Sequence, residues 1–148
     1  MIRPATAEDF NILLELGRAM HAESWYRYLP FDDVKLHGVF EKLLTDGYLR
    51  IHVAPNGSID GGMAGYIGEF WFCTEKIASD YALFVRPNHR GSFTAVRLIQ
   101  DFIEWAKEHG AQEVSLAQST GVMIEQTSRL YLGMGFAYVG GIYKWRLE

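Results

Sequence analysis

Tyr81-Ala82-Leu83-Phe84-Val85-Arg86-Pro87-Asn88-His89-Arg90-Gly91-Ser92-Phe93-Thr94-Ala95 is the stretch on which the fold turns. Residues 79–85 are apolar enough to read as a strand, and Pro87 closes it. From residue 93 to 109 the pattern changes period. Ala95, Leu98, Ile99, Phe102, Ile103 and Ala106 recur at helical spacing, and Gly110 stands where a C-cap glycine belongs. A strand therefore runs through an Arg-Gly turn into a helix start rich in small residues. The first N–H groups of a helix lack intrahelical partners, and the positive end of its dipole adds to them. Such a turn is suited to an anion. Gly91 would let a phosphate approach the backbone, Arg90 would add charge, and Ser92 and Thr94 would add hydroxyl donors. A plain strand-turn-helix with a solvent-exposed arginine has the same pattern, and this segment alone leaves both readings open. No Gly-Lys-Ser/Thr is present, so it is not a Walker loop, and no Gly-x-Gly-x-x-Gly marks a Rossmann turn.

Outward from this segment, the chain alternates in period. Residues 2–5 read as a short edge strand with Pro4 at its end. Thr6 and Asp9 resemble a capping box ahead of a helix over 7–23, with Phe10, Leu13, Leu14 and Leu16 inward. Asp32 or Asp33 caps a second helix that ends at Asp46-Gly47. In the strand over 48–54, Leu49, Ile51 and Val53 share a face. Pro55 to Ser58 is a turn. Residues 63–72 form the next strand, in which Gly65 and Gly68 signal a bulge or a close backbone approach. Beyond the long helix come a strand over 113–117, a helix over 122–132, and one or two closing strands over 136–147. The order β-αα-β-β-β-α-β-α-β implies an α+β, three-layer α/β arrangement with helices on both faces of a mixed sheet.

Composition narrows the class. A chain of 148 residues predicts one domain, 1–148, and 49% hydrophobic with 22% charged residues is ordinary for a globule. A net charge of −4 argues against a polyanion-binding surface, so no nucleic-acid partner is expected. The single cysteine, Cys73, excludes an internal disulfide framework, fits a cytoplasmic compartment and reads as a small buried hydrophobe. No apolar run is long enough for a membrane span, and the opening residues do not read as a signal peptide. His21, His37, His52, His89 and His109 form no ligand pair at metal spacing, so no metal is expected, and His89 reads as solvent-facing. Trp71, Trp105 and Trp145 read as packing residues.

Two motifs resemble those of the GNAT (N-acetyltransferase) superfamily. Val85, Pro87, Arg90, Gly91 and Ala95 are in register with that family's pyrophosphate motif, Val-x-Pro-x-x-Arg-Gly-x-Gly-x-Gly/Ala. Phe93 occupies the place of the second glycine, so its side chain must turn away from the cofactor. Leu130-Tyr131-Leu132-Gly133-Met134-Gly135-Phe136 resembles the helix-to-strand signature Tyr-x-x-x-Gly-Phe, although Ile124 replaces an asparagine often found seven residues before the tyrosine. The opening Ile2-Arg3-Pro4-Ala5-Thr6-Ala7-Glu8-Asp9 resembles the family's first strand and helix start. Arg-Gly followed by small residues and Arg97-Leu98-Ile99 is reminiscent of phage-borne members. The element order agrees along the whole chain.

The resemblance implies a mostly antiparallel sheet of six to seven strands, splayed between strands 4 and 5, that binds acetyl-CoA. It implies that the N–H groups of Arg90, Gly91, Ser92, Phe93, Thr94 and Ala95 hold the pyrophosphate. The backbone of Leu83, Phe84 and Val85 would pair with the pantetheine arm, and one amide there would polarise the thioester carbonyl. Tyr131 would be the general acid for the departing thiolate; without that context it reads as a core aromatic between Leu130 and Leu132. The attacking amine needs a base. Asp80, Glu75 and Glu69 are the candidates. Asp80 is preferred, on the face of Ala82 and Phe84 if alternation holds. Ser119 and Thr120 would either touch pantetheine or substrate or cap a helix. The aromatic loop from Ser24 to Phe31 would either wall the acceptor pocket or form a lid on the sheet. A small-molecule or protein amine is the implied acceptor, served by direct transfer in a ternary complex, and a homodimer is the implied assembly. The competing expectation is a non-catalytic acyl-CoA-binding sensor or interaction module of the same fold.

Overall fold

Alternation in the middle of the chain builds an antiparallel meander, and the helices close over its two faces. The computed structural model describes residues 1–147. Its elements are β1 (Ile2–Pro4), α1 (Phe10–Glu23), α2 (Asp33–Asp46), β2 (Tyr48–Val53), β3 (Ile59–Glu69), β4 (Lys76–Val85), α3 (Thr94–Glu108), β5 (Ala111–Ser115) and α4 (Ile124–Gly133). Short 3-10 turns occupy Ala7–Asp9, Trp25–Tyr28 and Pro87–His89. The strands lie in the order β1-β2-β3-β4-β5. Every neighbouring pair is antiparallel except β4 and β5, which are parallel because α3 crosses over between them.

One face is covered by α1 and α2. Leu49 and Ile51 of β2, Ile59 of β3 and Phe84 of β4 pack there against Phe10, Leu13, Phe40 and Leu43, with Val53 at the margin. The other face is covered by α3. Tyr48, Met63 and Ala78 pack there against Leu98, Phe102, Trp105 and Ala106. Asp32 caps α2 by accepting from the Lys35 N–H at 3.0 Å. Asp9 accepts from the Thr6 N–H at 2.8 Å and from both ends of the Arg3 guanidinium, which holds its carboxyl below the usual range. Gly110 ends α3 at φ +78°, the left-handed conformation a C-cap requires.

Gly65 shows why a glycine interrupts a strand. A Cβ there would lie 2.6 Å from the Phe102 ring and 2.8 Å from the Ser79 carbonyl. The register also shifts at this point: Ala64 pairs with Ala82 and Gly65 pairs with Asp80, so Tyr81 is the extra residue of a β-bulge. At Gly68 a Cβ would meet only the Tyr66 ring, at an ordinary contact distance of 3.6 Å.

Several expectations change in three dimensions. Among the described residues the sheet has five strands, not six or seven. Residues 136–147 alternate well enough to read as strand, but Gly140-Gly141 interrupts them and their two ends are anchored away from the sheet; no strand forms there. β3 begins at Ile59, before the expected 63, because its partner β2 extends the ladder to Val53. Cys73 is exposed in the β3–β4 hairpin rather than buried. Trp105 is core, whereas Trp71 and Trp145 are exposed. A tryptophan packs only where its element presents a covered face, and the hairpin tip and the chain end present none.

Candidate active site

The parallel ladder between β4 and β5 is short. It runs from Lys76–Ala111 to Ser79–Ser115 and then stops. From Asp80 onward the two strands diverge, and α4 stands beside the gap. The result is a cavity of about 440 Å³ between β4 and the β5–α4 segment. Its walls carry Asp80, Leu83, Phe84 and Val85 on one side and Ala117, Ser119, Thr120 and Tyr131 on the other. Gly91, Ser92 and Ala95 close its upper end. The expected splay between strands 4 and 5 is therefore present, and it exposes an unpaired length of β4 backbone to the cavity.

The upper end is the strand-turn-helix segment. Gly91 adopts φ +87°, which glycine alone takes without strain, and it turns the chain into α3. Phe93 is 71% exposed, so its ring points away from the cavity as a bulky residue in the glycine position must. Thr94 lies elsewhere. It is buried, and its hydroxyl faces Asp60 at 3.4 Å. Ser92 Oγ bonds the His89 carbonyl at 2.5 Å and Thr94 Oγ1 at 3.1 Å. Phe93 and Thr94 thus have their side chains outside the cavity; only their backbone amides belong to the helix start.

Arg90 is held from several sides. Its Nε donates to the Val85 carbonyl at 3.0 Å, and its guanidinium lies 5.3 Å from the centre of the Phe84 ring. Glu23, in the last turn of α1, pairs with its outer nitrogens. The charge expected to face an anion is therefore balanced by a carboxylate that also lines the cavity. An anion at the α3 start would compete with Glu23 for it.

His89 is not simply solvent-facing. Its Nδ1 lies 3.6 Å from the buried Asp60 carboxylate, which also holds His52 Nδ1 at 2.7 Å. This cluster packs beneath the turn and was not legible in the sequence, because Asp60, His52 and His89 share no spacing. The only signal was an aspartate inside an otherwise apolar strand.

Asp80 and Tyr131 both line the cavity, Asp80 where the two strands begin to part, and the Asp80 charge acts on the Tyr131 phenol. The bulge at Tyr81 puts Asp80 on the same face as Ala78 and Leu83, not Ala82 and Phe84, because Tyr81 and Ala82 both turn toward α1 and α2. Alternation fails at a bulge for that reason. Burial raises the Asp80 carboxyl to about 6, and the Ala117 N–H, donating to Oδ1 at 3.1 Å, opposes the rise. Burial, with the Asp80 charge behind it, pushes the Tyr131 phenol well above its ordinary value. Tyr131 is 9% exposed and lines the cavity, and its backbone carbonyl is bonded by the Phe136 N–H at 3.0 Å. A neutral phenol and a half-buried carboxyl thus share one pocket, which is the arrangement for moving protons in opposite directions. Glu69 and Glu75 lie at the far hairpin end, away from the cavity.

Thr120 has a structural job as well. Its carbonyl accepts the Trp25 N–H at 2.7 Å, tying the loop between α1 and α2 to the mouth of the cavity. That loop lies at the rim. Among the described residues no group of three or more His, Cys, Asp or Glu is placed to hold a metal ion. No helix among them is long and apolar enough to cross a membrane.

A five-stranded sheet splayed at its one parallel pair, with a glycine turn into α3 at the head of the gap, is an architecture found in acetyltransferases of known structure. The chain belongs to the Acetyltransferase (GNAT) family, whose pattern matches residues 11–136. It is similar to N-acetyltransferase 8B of Mus musculus, with 28% identity over 144 residues; the match covers 91% of this chain and 60% of that one. Two crystal structures show the fold. An acetyltransferase of Trypanosoma brucei has 20% identity, a TM-score of 0.75 and 99% coverage of both chains. A protein described as a transcriptional regulator of Bacillus halodurans has 19% identity, a TM-score of 0.80 and 99% coverage of both chains.

Proposed function

We propose that the chain, as a single domain over 1–148, is an N-acetyltransferase that moves an acetyl group from acetyl-CoA to a primary amine. The observation that carries this is the pairing of Asp80 with Tyr131 in the β4–β5 splay, below a helix start shaped for an anion. The amides at Gly91 to Ala95 would take the pyrophosphate, with Arg90 released from Glu23 to join them. The unpaired edge of β4 at Leu83, Phe84 and Val85 would bond the pantetheine amides as a strand would. An amide of β4 on this unpaired edge would stabilise the developing oxyanion.

Asp80 then takes a proton from the acceptor ammonium, directly or through a water. The free amine attacks the thioester carbon, the C–S bond breaks, Tyr131 protonates the departing sulfur, and the proton shed by the new amide nitrogen returns to the Tyr131 phenolate. A phenol held above its ordinary pKa stays protonated and can donate. Resemblance to named acetyltransferases supports this reading, as does the family to which the chain belongs. A small-molecule or protein amine is the acceptor class, and a cytoplasmic site of action fits the single free cysteine.

Thermal unfolding with and without acetyl-CoA tests the binding half. Ligand at a hundred times its Kd adds about 2.7 kcal/mol, roughly 5–10 °C for a chain of this size. Arg90→Glu should abolish that shift. No shift at millimolar acetyl-CoA would sink the assignment. A shift without turnover on any amine would instead favour a CoA-binding sensor, the reading to which the balanced Arg90–Glu23 pair and Phe93 lend weight.

A further inference from the structure

Asp60 takes no part in the proposed chemistry, yet it is a carboxylate inside the protein. It is the second residue of β3, between Ile59 and Gly61, and is only 3% exposed. A charge so placed is costly unless other groups meet it. His52 Nδ1, from β2, lies 2.7 Å from its Oδ1. The Thr94 hydroxyl donates to its Oδ2 at 3.4 Å, and His89 Nδ1 lies 3.6 Å from the same oxygen. One oxygen is thus satisfied within the sheet. The other is turned to the segment that joins β4 to α3.

The backbone repeats the connection. The Arg86 N–H donates to the Asp60 carbonyl at 2.8 Å, and Arg86 Nε donates to the Ile59 carbonyl at 2.9 Å. A Cβ at Gly61 would lie 3.0 Å from Thr94 Cγ2, so the glycine lets β3 run directly beneath the first residue of α3. Residues 86–94 therefore rest on Ile59 and Asp60 at Arg86, at His89 and at Thr94. Ser92 Oγ, 3.1 Å from Thr94 Oγ1, carries the hydrogen-bonded chain onward from the carboxylate. His89 and Ser92 line the cavity, whereas Asp60 and Thr94 lie behind its wall.

We propose that Asp60 is a positioning residue for the cofactor. Acting through Thr94 and His89, it sets the direction in which the amides from Gly91 to Ala95 point. This rests on the reading of the α3 start as the acetyl-CoA site. Hydrogen bonds to an ionised acceptor are stronger and more directional than neutral ones, so a carboxylate fixes the two side chains where an apolar residue would only fill space. Backbone N–H groups bind an anion only when aimed at it, and a turn free to tilt loses that alignment. Asp60 itself touches no reacting atom. Its effect therefore falls on cofactor binding and leaves the transfer step alone.

Calorimetric titration of acetyl-CoA into the wild type, Asp60→Asn, Thr94→Val and the double variant tests this. Asp60→Asn keeps the volume and removes the charge; Thr94→Val keeps the shape and removes the hydroxyl. Each should raise Kd about tenfold, the usual worth of a hydrogen bond to a charged group. The double variant should be little worse than either single one, because both break the same link. KM for acetyl-CoA should rise with Kd while kcat at saturation holds. Wild-type affinity in either single variant overturns the proposal, even where the unfolding midpoint falls, since the carboxylate then serves folding alone. Losses that simply add, or a fall in kcat at unchanged KM, overturn it too. If Asp60→Asn does not fold, the Kd of Thr94→Val decides. A wild type that binds no acetyl-CoA removes the reading of the site, and this proposal with it.

Discussion

Tyr48 and Tyr131 are both buried tyrosines near a carboxylate, one in β2 within the paired part of the sheet and the other in α4 beside the splay. Tyr48 belongs to the closed half. Its ring packs edge-on to Phe102 at 4.8 Å and near Trp105 at 5.2 Å, and its hydroxyl donates to Asp101 at 2.8 Å. Tyr131 belongs to the open half, where the β4–β5 ladder has ended and the wall beside it is a cavity. Burial raises both phenols. In the closed half the hydroxyl is spent on a structural bond; in the open half it faces the space where a substrate would lie. Burial gives a structural residue where the strands stay paired and, on the proposed function, a proton donor where they part.

Tyr131→Phe should break this contrast most visibly. Turnover of acetyl-CoA with an amine should fall about 10²–10⁴-fold, the usual worth of a general acid, while the unfolding midpoint hardly moves. Full activity in Tyr131→Phe would remove the reactive half of the comparison. Phe102→Ala tests the other half. Phe102 is wholly buried between Tyr48 and Trp105, so its loss should cost about 3–5 kcal/mol in urea unfolding. The acetyl-CoA shift should persist in the fraction that remains folded.

Tyr48→Phe sharpens the contrast. It strands Asp101, which retains Arg50 at 3.5 Å, and should cost about 1–2 kcal/mol of stability with kcat unchanged. A fall in kcat greater than the fall in stability would mean that the closed half contributes to chemistry. The smallest effect is a pH dependence. Asp80 is raised to about 6 in the folded chain against about 3.9 unfolded, so the folded state holds more protons between those values. Its contribution to stability is present below about pH 4 and is lost as pH rises through 6. On the proposed mechanism Asp80 acts as the carboxylate, so kcat/KM should rise over the same limb. Asp80→Asn should flatten the stability slope and remove the acidic limb of activity; an unchanged limb would assign the base elsewhere.

Much of the fold was legible because its signals are local. The period of Leu98, Phe102 and Ala106 gives α3, and that of Leu49, Ile51 and Val53 gives a face of β2. Asp32, Gly91 and Gly110 announce a cap, a left-handed turn and a helix end through their own backbone chemistry. Tyr131 and the Arg90-Gly91 turn were singled out through the resemblance of their motifs to those of the family, since from the residues alone the first reads as a core aromatic and the second leaves two readings open. The Asp60 cluster with His52 and His89 was not, since its members meet only when β2, β3 and the turn before α3 are brought together. The face of Asp80 was not either, because one extra residue at Tyr81 reverses alternation and nothing at Tyr81 itself marks it.

The sequence by itself determined the elements, their order and the residue types at the head of the splay, because helix period, strand alternation and turn chemistry act over a few neighbours. Only the tertiary structure decided how many strands pair, where β4 and β5 part, that Glu23 balances Arg90, and that residues 136–147 leave the sheet. Those outcomes depend on partners far apart in the chain, and a β-ladder exists only where a second strand arrives to accept its hydrogen bonds.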